Sequence, residues 1–150
     1  MFATAFGFLE ATVVVYLRAA SGLLPGYQGT LSDIIRATPA SQAIVELPQS
    51  LLSLELIREA ATIFMLFSIA FLTTLTWRGR VAVFLWAFAI WDIVYYVSLW
   101  ATVRWPHSLK DSDILFLIPE PWSAPVWFPL LVSALTLVVV LLTRADATKV

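Results

Sequence analysis

Read for polarity alone, the chain falls into long apolar stretches separated by shorter segments rich in proline, glycine and charge. Residues 60–77, 81–91, 93–103 and 121–143 contain no Lys, Arg, Asp or Glu. Crossing the hydrocarbon core of a bilayer takes about 20 helical residues at 1.5 Å rise each. The pattern therefore predicts spans at residues 2–20, 52–77, 81–103 and 124–143. The expected fold class is all-α integral membrane, a four-transmembrane-helix bundle with partly structured extracytoplasmic loops. Residues 1–150 form a single membrane domain in this reading. The first span differs from a signal peptide: no Lys or Arg precedes it, Glu10 sits in its middle and no small-residue cleavage site follows, so it is expected to stay attached.

Two segments are expected outside the membrane. Residues 21–50 are long for a connection within a bundle and are punctuated by Pro25, Gly26, Gly29, Pro39 and Pro48. Within them, 30–36 and 41–47 read either as interfacial half-helices or as ordinary loop. Residues 104–123 hold an apolar patch at 114–118, bracketed by Asp111 and Asp113 and by Pro119-Glu120-Pro121. The patch is too short to span, so it dips into the outer leaflet or packs over the helices. Trp105, Trp122 and Trp127 nearby form an expected aromatic belt. Ser123 is the expected N-cap of the last helix, with Pro125 in its first turn and a bend at Pro129. Arg78 and Arg80 in the shortest turn, with Arg144 and Lys149, place both termini inside by the positive-inside rule; Arg36, Arg104 and Lys110 lie on the other side. The expected location is the bacterial cytoplasmic membrane, N-in and C-in.

Composition sharpens this picture. With 61% hydrophobic and 13% charged residues and a mean hydropathy of +0.89, the chain is far from the roughly 25% charge of a soluble domain. The absence of cysteine excludes disulfides, iron–sulfur clusters and thiolate-ligated haem. A single histidine, His107, cannot build a multi-imidazole centre, so any metal must be held mainly by oxygen. No glycine-rich phosphate loop occurs, and a net charge of −1 argues against nucleic acid as a partner.

Chemistry is concentrated in a few charges within the spans: Glu10, Arg18, Glu55, Arg58, Glu59 and Asp92. A charge near the bilayer centre costs at least about 2.5 kcal/mol, so such residues face a bundle interior and have a task. Helical rise puts Glu10 and Asp92 near the midplane, and Arg18, Glu55, Arg58 and Glu59 in an outer tier. Tyr95 and Tyr96 share a stripe with Asp92, one turn beyond it. Ionised, the four carboxylates and two arginines of the spans leave −2 in a low-dielectric bundle. Two bound protons or one divalent cation would neutralise it, and Glu10, Glu59 and Asp92 are the candidate metal ligands. Plainer readings stand beside these: Glu55 as a first-turn acid facing the helix dipole, and Arg18 and Arg58 as helix fasteners.

Phe6-Gly7-Phe8-Leu9-Glu10, Arg58-Glu59-Ala60-Ala61-Thr62, Trp91-Asp92-Ile93-Val94-Tyr95-Tyr96 and Asp113 through Pro121-Trp122 resemble segments of small, uncharacterised four-span bacterial membrane proteins. The resemblance implies a shared polar site and carries no activity. The expected function is an intramembrane carboxylate, arginine and tyrosine site opened to the outer face. It would bind a cation or polar head group, with a lipid or polar small molecule as ligand and lipid-related chemistry as one form of it. The alternatives are proton or cation translocation by a homo-oligomer, and a small structural subunit of a larger membrane complex.

Overall fold

The computed structural model of the chain describes residues 1–20, 49–117 and 121–147. The half-helices expected at 30–36 and 41–47, Ile118, Pro119, Glu120, Lys149 and the side chains of Arg18 and Arg144 lie outside the described residues. The order is α1 (Phe2–Ala20), α2 (Gln49–Thr73), α3 (Trp77–Val103), β1 (Ser112–Phe116), β2 (Trp122–Pro125) and α4 (Trp127–Ala147). The fold is mostly helical. By length and composition, Leu52–Thr73 and Trp77–Val103 are long and apolar enough to cross a membrane, while Phe2–Tyr16 and Trp127–Thr143 are shorter apolar stretches.

Helix ends differ from the expected ones for local reasons. Arg78-Gly79-Arg80 is not the turn: α2 stops at Thr73, and Thr76 caps α3 by accepting the Gly79 N–H at 3.2 Å on its hydroxyl. Both arginines thus stand in the first turn of α3, with Arg80 donating to the Thr74 carbonyl and lying 4.3 Å over the Phe71 ring. At its other end α3 closes on Arg104, whose left-handed conformation (φ 57°) returns its N–H to the Trp100 carbonyl at 3.1 Å. The last helix begins at Trp127, so Ser123 is not its N-cap and Pro125 is not inside it. Pro129 falls in the first turn, where the missing N–H has no helical partner to lose, and the expected bend has no cause.

The connection after α3 folds as an antiparallel ribbon that packs over the helices. Ser112 pairs with Pro125, Asp113 with Ala124, Ile114 with Ser123 and Phe116 with Trp122, with a register shift between Ile114 and Phe116. Asp111 anchors the approach by accepting the His107 and Ser108 N–H groups at 2.8 and 3.1 Å. Its own carbonyl takes the Val126 N–H and that of Leu109 takes Trp127, which ties the start of α4 to the ribbon.

α3 is the central helix: α1, α2 and α4 all pack against it, whereas α1 and α2, and α2 and α4, make at most marginal contact. Its closest neighbour is α1, for a reason visible at Gly7. A Cβ there would lie 2.6 Å from the Trp91 carbonyl oxygen and 3.0 Å from the Val94 Cβ, so only glycine allows this approach. Two apolar clusters flank the middle of α3. One gathers Ala3, Leu66, Ala87 and Trp91 towards the α2–α3 turn, and the other gathers Ala11, Val15, Leu99, Val103, Trp105 and Val126 towards the ribbon. Asp92 stands at the boundary between them. The outward sides of the helices are apolar as well: Phe64, Leu72, Val139 and Leu142 are all exposed.

Candidate functional site

A cavity of about 230 Å³ opens between the four helices in the half of the bundle nearer the ribbon. Seven of the eight residues expected in a polar site line it: Glu10 from α1, Glu55, Arg58 and Glu59 from α2, and Asp92, Tyr95 and Tyr96 from α3. The eighth, Arg18, has its side chain outside the described residues. Phe88, Trp91, Phe128 and Val132 supply apolar wall, and Phe116 and Leu117 of the ribbon segment close one side.

Arg58 organises the α1–α2 side. Its Nε donates to Glu55 Oε2 at 2.8 Å and its Nη2 to Glu55 Oε1, a bidentate pair one turn apart on α2. Its Nη1 donates to Glu10 Oε1 across the gap between α2 and α1, and makes a longer contact to Thr62 Oγ1 at 3.5 Å. The guanidinium is thus surrounded by carboxylates, the arrangement of the plainer reading in which Arg58 fastens helices. Glu10, with no basic neighbour on its own helix, finds its partner on another and so joins two helices that otherwise barely touch. Glu55 lies in the second turn of α2, not the first, and is held by Arg58 instead of by the helix dipole.

Glu59, one turn along, serves the ribbon. Both of its oxygens accept the backbone N–H of Leu117, at 2.9 and 3.2 Å. Leu117 and Glu59 are both buried, so this carboxylate fixes the far end of β1 to α2. A second tie comes from Tyr96, whose hydroxyl donates to Asp113 Oδ2 at 3.1 Å. Tyr96 therefore orients a ribbon carboxylate, although it shares a helix stripe with Asp92. Tyr95 packs edge-on against Tyr96, with ring centroids 4.9 Å apart, and faces the cavity.

Among the described residues Asp92 has one hydrogen bond, accepted by Oδ2 from the Ser133 hydroxyl of α4 at 2.8 Å. No cationic side chain of the described residues pairs with it. Beside it in the cavity wall, Trp91 is 8% exposed and its indole N–H has no partner among the described residues.

Glu10, Glu59 and Asp92, the expected metal ligands, therefore share a cavity, with Glu10 on Arg58, Glu59 on Leu117 N–H and Asp92 on the Ser133 hydroxyl. Among the described residues no group of three His, Asp or Glu side chains converges as a metal centre. Sequence reasoning missed Asp113 and Ser133. Asp113 belongs to the ribbon and not to a helix. Ser133 looks like other helical hydroxyls, yet Thr12, Ser68, Thr102 and Thr143 donate to the carbonyl one turn earlier, and Ser133 donates across to α3. The chain matches no protein-family model, no curated protein and no solved structure.

Proposed function

We propose that this chain is an integral membrane protein of four spans whose cavity, on the outer side of the bilayer, binds a positively charged group. Membrane placement is supported by the two helices long enough to cross and by the apolar outward faces of the whole bundle. Arg78 and Arg80 on the side of the short turn favour N-in and C-in, which puts the ribbon and the cavity outside.

One observation carries the choice of ligand. Among the described lining residues, five carboxyls (Glu10, Glu55, Glu59, Asp92 and Asp113) face one guanidinium, and Arg58 is already engaged by two of them. Such a wall repels anions and draws a cation, and its aromatic rings add attraction to a diffuse positive charge. A compact metal ion would need several oxygens converging at about 2.0–2.6 Å, whereas an ammonium needs only a few acceptors and a ring face. At about 30 Å³ per water, a 230 Å³ cavity has room for roughly eight waters or a small organic head group.

The test is thermal stability of the purified protein in a neutral detergent, titrated with ethylammonium chloride, magnesium chloride or potassium acetate. Ethylammonium is expected to raise Tm, acetate to leave it unchanged, and Asp92→Asn to abolish the rise. Equal indifference of wild type and variant to both cations sinks the proposal. A response to magnesium alone replaces the organic cation by a metal.

A further inference from the structure

We infer that the ligand carries two ammonium groups joined by a short apolar chain, one seated on Asp92 and the other on Glu10. This deepens the cation-site reading and rests on it. Two carboxylates of the wall have both oxygens engaged: Glu55 by Arg58 and Glu59 by Leu117 N–H. Glu10 gives Oε1 to Arg58 and Asp92 gives Oδ2 to Ser133, and among the described residues the second oxygen of each accepts no hydrogen bond. Both side chains line the cavity, where such an oxygen is an acceptor for an N–H donor. Pairing with Arg58 does not neutralise Glu10 either. Glu10 and Glu55 share one guanidinium, so the triad keeps one negative charge. Glu10 thus fastens α1 to α2 with one oxygen and presents a second anionic pole with the other.

The two poles differ in depth and in facing. Gly7 lies against Trp91 and Val94, which puts Asp92 level with it. Ala3 clusters with Ala87 and Trp91, and Ala11 and Val15 with Leu99 and Val103, so α1 and α3 run in the same direction. Glu10, three residues beyond Gly7, therefore stands about 4.5 Å nearer the ribbon than Asp92. Glu10 turns towards α2, where Arg58 meets it, and Asp92 towards α4, where Ser133 does. The principal charges acting on Glu10 are accordingly Arg58, Glu55 and Glu59, whereas the one acting on Asp92 is Asp113. A compact ion seated on one carboxylate leaves the other unmet, and a second ammonium on the same molecule meets it. Val14, Phe88 and Val132 in the same wall offer apolar surface to the methylenes, and about 230 Å³ accommodates a short chain. Once the first head is bound, the second binds as an intramolecular event, which is favourable only when the chain matches the span.

The experiment is calorimetric titration of the purified protein in neutral detergent, at fixed ionic strength, with the chloride salts of ethylenediammonium through octamethylenediammonium. Each is compared with the n-alkylammonium of the same carbon number. Affinity for the diammonium series is expected to peak at one length and there to exceed the matched monoammonium at least about tenfold. Glu10→Gln keeps an oxygen for Arg58 and should flatten the series to about the twofold advantage that two identical heads give by statistics, with ethylammonium still bound at Asp92. Glu10→Asp keeps the charge on a shorter stem and should move the peak to a longer chain, which decides the matter even if Glu10→Gln loses all response. Asp92→Asn should abolish binding of both series. If ethylammonium stabilises the protein but no diammonium exceeds its monoammonium, the cation site stands and the second pole is wrong. A peak that survives Glu10→Gln, or that Glu10→Asp leaves in place, also overturns the inference. If neither series binds, both proposals fall together.

Discussion

The two sides of the cavity handle the same chemical group in opposite ways. Towards α1 and α2, Glu10 and Glu55 close on Arg58 from both edges, so each charge has an opposite charge in contact and the helices are joined by the result. Towards α3 and α4, Asp92 has a neutral hydroxyl and nothing more among the described residues. A carboxylate buried with a guanidinium is a fastener, because its desolvation is already offset by a partner that cannot leave. A carboxylate given only a serine keeps most of its electrostatic demand unmet, and that demand is what a mobile cation can satisfy. The difference separates holding from binding within a single hollow.

Five variants break or sharpen that contrast, and the largest effect belongs to the fastened side. Arg58→Met leaves Glu10 and Glu55 buried without a counter-charge and is expected to cost about 3–5 kcal/mol, read as a fall in unfolding free energy in detergent. The triple change Glu10→Gln, Glu55→Gln, Arg58→Met should recover most of it, since no charge is then stranded. Failure of that recovery would move the loss from electrostatics to packing of the arginine stem. Tyr96→Phe removes the hydroxyl that meets Asp113 and should cost about 2 kcal/mol, with faster hydrogen exchange along Ser112–Phe116. A ribbon unchanged in exchange would show that this tie is idle.

Glu59→Gln keeps an oxygen for Leu117 N–H but loses the charge, so about 1 kcal/mol is expected, together with weaker ammonium response. The smallest stability effect is predicted for Asp92→Asn, under about 1 kcal/mol, because the amide oxygen still accepts from Ser133. Binding should nevertheless disappear. A large loss of stability at Asp92 with binding intact would reverse the assignment of the two sides.

The helices were legible because a bilayer-length run without charge has few other meanings. Their ends were not, because a cap is a single short-range hydroxyl such as Thr76, invisible to apolar patterning and stronger in deciding the boundary than the neighbouring arginines. The ribbon escaped notice for a related reason: residues 114–117 are a short apolar run, and only pairing with Trp122–Pro125 makes them a strand. For the site, cost was the signal. Charges inside long apolar stretches announced Glu10, Glu55, Arg58, Glu59 and Asp92, and the structure brings them to one cavity. Who meets whom was out of reach, since Glu10 and Arg58 are 48 residues apart and nothing local distinguishes their pairing from a pairing with Asp92.

The central position of α3 has a consequence for how such a sequence varies over time. Its flanks are spoken for on three sides: Gly7 of α1 rests against Trp91 and Val94, Phe67 of α2 stacks on Phe84 at 4.4 Å, and Ser133 of α4 reaches Asp92. The three surrounding helices each keep an outward-facing apolar side on which one apolar residue can replace another without touching a neighbour. α3 has far less of that freedom. Drift in this protein is expected to run along the outward faces of α1, α2 and α4, while changes in α3 survive mainly when the helix opposite changes with them.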